Sequence, residues 1–199
     1  MKNKKKQIIS ENKFKNIKIT TYTELENFLQ LIADLDEDLE LFAMGGTAMV
    51  LKGIKESTKD IDFLTTAKKS KINELFTLAG LREKNISQLC NTWYLGDIRI
   101  DIFYNEFILG FSLPEDWKTL SEHIRDIGKI KLFILDWHDI IITKIDRSEK
   151  RDIEDCLVII KHQKLNFQKL KERYYRCAET AIIAEYDYKF KHFEREYKK

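Results

Sequence analysis

Cysteine is scarce in this chain. Cys90, Cys156 and Cys177 are odd in number, widely spaced and without any C-x-x-C pairing, which argues against a disulfide framework and a zinc knuckle and fits a reducing cytoplasm. Long apolar runs are missing as well. Ile8-Ile9 after the lysine-rich start gives way at once to Ser10, Glu11 and Asn12, and no stretch approaches the ~20 residues that a membrane span needs. The expectation is therefore a soluble, cytoplasmic protein with no membrane partner. Nor does one sign of charge dominate: 35 Lys and Arg against 33 Asp and Glu leave +2, so nucleic-acid binding would have to come from a local patch. The dense basic run, Lys2 to Lys6, reads as a solvated tail. The sole proline, Pro114, sits in loop-like text from Phe107 to Trp117, and there is no internal repeat or low-complexity linker.

What is present suffices for a core, since 43% of the residues are hydrophobic and 12% aromatic, a composition that excludes global disorder. The pattern predicts a loose basic lead over 1–20, an α/β core over 21–135 and a helical region over 136–199. Thr23 and Glu26 have capping-box spacing, and Leu25, Phe28, Leu29, Ile32 and Leu35 recur at helical period, predicting a helix over about 24–36. Strands are expected at Leu41–Met44, Ile61–Thr65 and Ile130–Leu135. Cys90–Leu95, Gly96-Asp97 and Ile98–Phe103 read as a hairpin. Asp136 can cap a helix, and the text beyond Ser148 is helical, ending in an aromatic stretch, Tyr174 to Tyr197, suited to packing or to a dimer contact. The fold class is α+β, a mixed sheet flanked by helices and followed by a helical C-terminal part.

Chemistry concentrates between Leu41 and Leu64. An apolar strand runs into Gly45-Gly46-Thr47 at the start of a short helix, and a second strand carries Asp60 and Asp62. One residue apart on a strand, the two carboxylates share a face, and their mutual repulsion calls for a divalent cation. The glycines allow close backbone approach, and the oriented N–H groups of the turn suit a phosphate. Asp101, in Ile100-Asp101-Ile102, joins the cluster if its strand neighbours the D-x-D strand. Three such carboxylates can hold two Mg²⁺ ions (Mn²⁺ is the alternative) roughly 3.5–4 Å apart around a nucleoside triphosphate, one activating the attacking hydroxyl and one steadying pyrophosphate. The bland alternatives are plain surface acids at 60 and 62, and an Asp101 that merely faces Arg99. The four histidines share no metal-ligand spacing.

The segment G-G-T-A-M-V-L-K-G-I-K-E-S-T-K-D-I-D-F-L resembles the opening motif of the DNA polymerase β-like nucleotidyltransferase superfamily. It looks most like the small prokaryotic branch that includes the AbiEii-type toxins of type IV toxin–antitoxin systems, over about 40–160. The resemblance implies metal-ligating and catalytic roles for Asp60, Asp62 and Asp101, and nucleotide contacts from Gly45, Gly46 and Thr47, the last standing where many relatives have serine. A helix lysine and a later acid match Lys144 and Asp155, which implies a triphosphate contact from Lys144. The implied activity is Mg²⁺-dependent transfer of a nucleoside monophosphate from an NTP to an acceptor hydroxyl on RNA (a tRNA end included), a protein or a small molecule, with an antitoxin or a second copy as partner. A module that binds nucleotide or partner without turnover is the alternative.

Overall fold

A computed structural model describes residues 19–87, 89–104, 106–108, 111–180 and 184–199; the Lys2–Lys6 run lies outside them. Strand β1 (Thr20–Thr21) leads directly into helix α1 (Tyr22–Ala33). The cap falls two residues earlier than the sequence pattern suggested. The Glu24 carboxylate accepts from the Thr21 backbone N–H at 2.9 Å and from its hydroxyl, whereas Glu26 reaches across to Arg125. Both spacings satisfy the i, i+3 rule; the pairing of β1 with β3 (Ser57–Thr58), Thr20 opposite Thr58, determines where the helix starts.

The principal sheet contains seven strands in the order β10 (Glu122–Ile127), β11 (Ile130–Ile134), β2 (Leu39–Ala43), β4 (Asp60–Thr65), β7 (Ile98–Tyr104), β6 (Cys90–Leu95) and β5 (Arg82–Ile86). It is mixed: β11 runs parallel to β2, β2 antiparallel to β4, and β4 parallel to β7. The hairpin read around Gly96-Asp97 is β6–β7, with Leu95 opposite Ile98. Strands β5 and β10 carry charged or other polar residues at most positions, a solvated edge-strand text that hides their period. A small ribbon, β8 (Phe107–Ile108) with β9 (Phe111–Ser112), lies apart from the sheet.

Alternation along each strand divides the sheet into two faces. One is closed by α1 and by α3 (Lys69–Leu78) through edge-to-face aromatic contacts: Phe28 against Phe76 at 5.7 Å, and Phe76 against Trp93 at 5.4 Å. The other is covered on its β2–β11 side, where Phe42 stacks on Phe133 and meets Trp117 of α4 (Trp117–Leu120), both at 4.7 Å. The helical end follows: α5 (Trp137–Arg147), α6 (Lys150–Gln163), α7 (Phe167–Thr180) and α8 (Tyr186–Tyr197). Asp136 caps α5 by accepting from the His138 N–H at 3.0 Å. Arg173 of α7 ties this end together from within, donating to both Asp139 oxygens at 2.6 and 2.7 Å and to Asp116 at 2.9 Å. The aromatic C-terminal stretch packs on the body, with Phe190 and Phe193 fully buried and Phe167 stacked on Tyr197 at 4.1 Å. No helix among the described residues is long and apolar enough to cross a membrane.

Candidate active site

Between β2 and β4 the chain must reverse, and α2 (Gly45–Leu51) begins the return. Gly45 has φ +56°, a left-handed conformation that glycine adopts without strain, and a side chain there would press to 3.2 Å from Asp62 Oδ2. At Gly46 a Cβ would overlap the Thr58 hydroxyl and Cβ. The glycine pair therefore exists to let α2 lie flush against β3 and the D-x-D strand. Gly46→Ala is expected to cost about 1–3 kcal/mol through overpacking, read as a lowered midpoint in urea unfolding; Thr58→Gly in the same background relieves the clash and should recover part of the loss.

Thr47 is fully buried, and its hydroxyl faces β4: it accepts from the Asp62 N–H at 2.8 Å and lies 3.4 Å from the Asp60 carbonyl, to which it donates. The hydroxyl for which the resemblance implied a nucleotide contact is thus bonded to the strand in this structure. The side chain staples the helix to the strand that carries the two acids, leaving Gly45 and Gly46 on the cleft wall.

Parallel pairing of β4 with β7 sets Asp62 directly opposite Asp101 and Asp60 opposite Arg99. The three acids thus share one face, around one wall of a cleft of about 620 Å³ between the open side of the sheet and helices α5 and α6. The Asp62 carboxyl is pushed up to about 7 by burial first and then by the Asp101 and Asp60 charges. Burial also raises Asp60. Asp101 is engaged: the Arg99 guanidinium meets it at 2.7 and 3.2 Å, and the Thr92 hydroxyl donates to it at 2.7 Å.

The opposite wall comes from α5 and α6. Lys144 is almost wholly buried and donates to Asp155 at 2.7 Å and to Asp152 at 3.3 Å. Lys55 reaches the other Asp155 oxygen at 2.5 Å, and Arg147 holds Asp152 at 2.6 Å. Burial alone would raise the Asp155 carboxyl, but the hydrogen bonds from Lys144 and Lys55 hold it below its ordinary value. Lys59 and Arg151 line the same cleft. Of these residues, Lys55, Lys59 and Arg147 drew no attention as sequence. A usable signal existed in the i, i+3 pairs Lys144/Arg147 and Asp152/Asp155, which put matching charges on the facing sides of consecutive helices.

The family model described as "Nucleotidyltransferase of unknown function (DUF6036)" matches residues 20–199. The chain belongs to this family. The fold agrees. The solution structure of the antibiotic-resistance factor ANT(2'')-Ia superposes with a TM-score of 0.60 at 14% identity, over 79% of this chain and 92% of that one. The crystal structure of ANT(2'')-Ia in complex with adenylyl-2''-tobramycin gives 0.57 at 15%, over 78% and 96%. At such identities the likeness establishes the nucleotidyltransferase fold. No curated protein matches the chain.

A nucleotidyltransferase cleft invites a test for divalent metal. The donors are right, since Asp60, Asp62 and Asp101 offer only hard carboxylate oxygens, the ligands that Mg²⁺ and Mn²⁺ take. A shared face and an Asp62 carboxyl driven up by burial and then by two like charges suit a cation. Among the described residues no three such groups already converge as a closed ligand set. Arg99 is what Asp101 meets, so metal binding at all three acids requires that guanidinium to swing away.

Proposed function

We propose that this nucleotidyltransferase moves a nucleoside monophosphate from an NTP to an acceptor hydroxyl, with Asp60, Asp62 and Asp101 as ligands of two divalent cations. The observation carrying this reading is the parallel register of β4 and β7, which brings Asp62 opposite Asp101 beside the Gly45-Gly46 turn. When bound, the metal would supply Lewis-acid activation and neutralise the phosphate charge. The chain's own residues do the rest. The three carboxylates fix the geometry, and Asp101 is placed to help take the proton of the attacking hydroxyl. The backbone at Gly45 and Gly46 leaves room for phosphates. Lys59 and Arg151, on opposite sides of the cleft, face the anionic leaving group.

The acceptor is read from charge. Asp152 and Asp155 are already bonded to Lys55, Lys144 and Arg147, and the other three cleft carboxylates are assigned to metal. None remains to receive a polycation, so the aminoglycoside seen with ANT(2'')-Ia is a poor guide to the acceptor here. An RNA or protein hydroxyl fits better, and the AbiEii resemblance supports a toxin role; a small regulator gene beside this one would support an antitoxin partner.

One observation favours the alternative of a binding module without turnover: Arg99 occupies Asp101. Incubation with each α-labelled NTP, Mg²⁺ and total cellular RNA or lysate separates the two. Transfer predicts a labelled product that EDTA abolishes. NTP binding with no labelled product under any combination would refute it.

A further inference from the structure

The face that holds the acids does not end at the cleft. Reading across the sheet in register, Asp60 of β4 lies opposite Arg99 of β7, Arg99 opposite Tyr94 of β6, and Tyr94 opposite Arg82 of β5. Directly opposed residues share a face, so these four side chains form one row. Three strand spacings carry it about 14 Å from the acid cluster to the sheet edge. Lys84 thickens the far end, its Nζ 5.1 Å from the centre of the Tyr94 ring. Arg82, Lys84 and Arg99 are exposed and Tyr94 is half-buried. The neighbouring acid on β5, Glu83, pairs with core Trp93 and belongs to the other face; Asp97 sits at the hairpin tip, beyond the row.

We infer that this Arg99–Tyr94–Arg82/Lys84 row is the docking track for the acceptor, and that the acceptor is the 3′ end of a single-stranded RNA. The inference rests on the transfer reading above and names the substrate class of the same site. Two features of the row carry it. Cations spaced along a line leading to the metal acids complement a phosphodiester backbone and would repel a cationic acceptor. An aromatic ring set between them, covered by the Lys84 ammonium in the free protein, offers a base a stacking surface once Lys84 turns to a phosphate, the combination by which single strands are held without sequence readout. The terminal ribose hydroxyl then arrives beside Asp60, where it would attack the α-phosphorus of the NTP. The new P–O bond forms as the bond to pyrophosphate breaks, and the hydroxyl proton passes to a site carboxylate. The basic patch that the even net charge demanded is thus local, and lies on the sheet rather than in the lysine-rich lead.

The test reads RNA binding with neither nucleotide nor Mg²⁺ present, so failure of the transfer reading leaves it intact. The probe is a short, unstructured, fluorescein-labelled RNA, followed by anisotropy over a salt series. The Arg82→Glu/Lys84→Glu variant should bind about tenfold or more weakly, with its log–log salt slope reduced by about 1.4, two single-strand phosphate contacts at about 0.7 each. Metal-dependent NTP binding should be unchanged. The milder Arg82→Gln/Lys84→Gln pair should show the same loss of slope should charge reversal harm folding. Tyr94→Leu should weaken binding about fivefold or more while Tyr94→Phe retains it, a difference that charge alone does not make. Undiminished binding by both charge variants overturns the inference. So does absence of RNA binding by the wild type, or loss of binding that follows deletion of Lys2–Lys6 instead.

Discussion

Asp62→Asn is expected to lower nucleotide transfer by on the order of a hundredfold or more while leaving the protein folded, because a metal-holding carboxylate supports several kcal/mol of transition-state charge stabilisation. Asparagine keeps the shape and removes the charge, so the Thr47 staple on the Asp62 backbone N–H is untouched. Burial and two like charges already disfavour ionisation at this position, so the neutral amide should leave the metal-free protein as stable as the wild type or slightly more so. Falling transfer with a level or raised unfolding midpoint is therefore the signature of a functional acid. A variant that transfers as fast as the wild type would remove Asp62 from the site. One that loses activity together with a large drop in stability would make it structural.

Lys144→Met should act in the opposite sense, mainly on stability. Lys144 lies between Asp152 and Asp155 with a side chain only 4% exposed. Its removal leaves two buried carboxylates facing each other across the space it filled. Breaking a buried pair in this way costs about 3–5 kcal/mol, and the low end is expected because Arg147 still holds Asp152 and Lys55 still holds Asp155. About 3 kcal/mol corresponds to a fall in Tm of roughly 6–12 °C at this chain length. Adding Asp155→Asn to Lys144→Met should restore part of the loss, since it removes one of the stranded charges. The same variants test the expected triphosphate contact. Asp155→Asn alone frees one Lys144 bond and should tighten NTP binding, and an Asp155→Asn protein that binds NTP more weakly would show that Lys144 serves the helix pair and not the nucleotide.

The two predictions differ because the two residues were legible to different degrees. Asp60 and Asp62 stand one residue apart on a strand, so their common face follows from the backbone period alone. Gly45-Gly46 before a short helix announces a tight return, since few other residues permit that turn. The helices with long apolar stripes, α1 and the run from α5 to α7, were readable for the same local reason. Strands β5 and β10 were not. Edge strands exposed to water carry charged or other polar residues at most positions, and the alternation that reveals a buried strand is lost.

Thr47 shows the limit most plainly. A hydroxyl in a glycine-rich turn suggests phosphate, and only the closeness of α2 to β4 turns it inward to the Asp62 amide. Lys55, Lys144, Arg147, Asp152 and Asp155 come from three separate segments, and no spacing in the chain links Lys55 to Asp155 a hundred residues later.

The sequence by itself therefore determined that a D-x-D pair follows a Gly-Gly turn and that Asp101 stands on an alternating strand. Whether those acids meet depended on strand order. Register across a sheet is a relation between segments, set by how the apolar faces of β4 and β7 bury against α1 and α3, and no local pattern encodes which strands become neighbours. Tertiary structure placed β7 beside β4 with Asp62 opposite Asp101, set Arg99 on that third acid, and extended the same register through Tyr94 to Arg82.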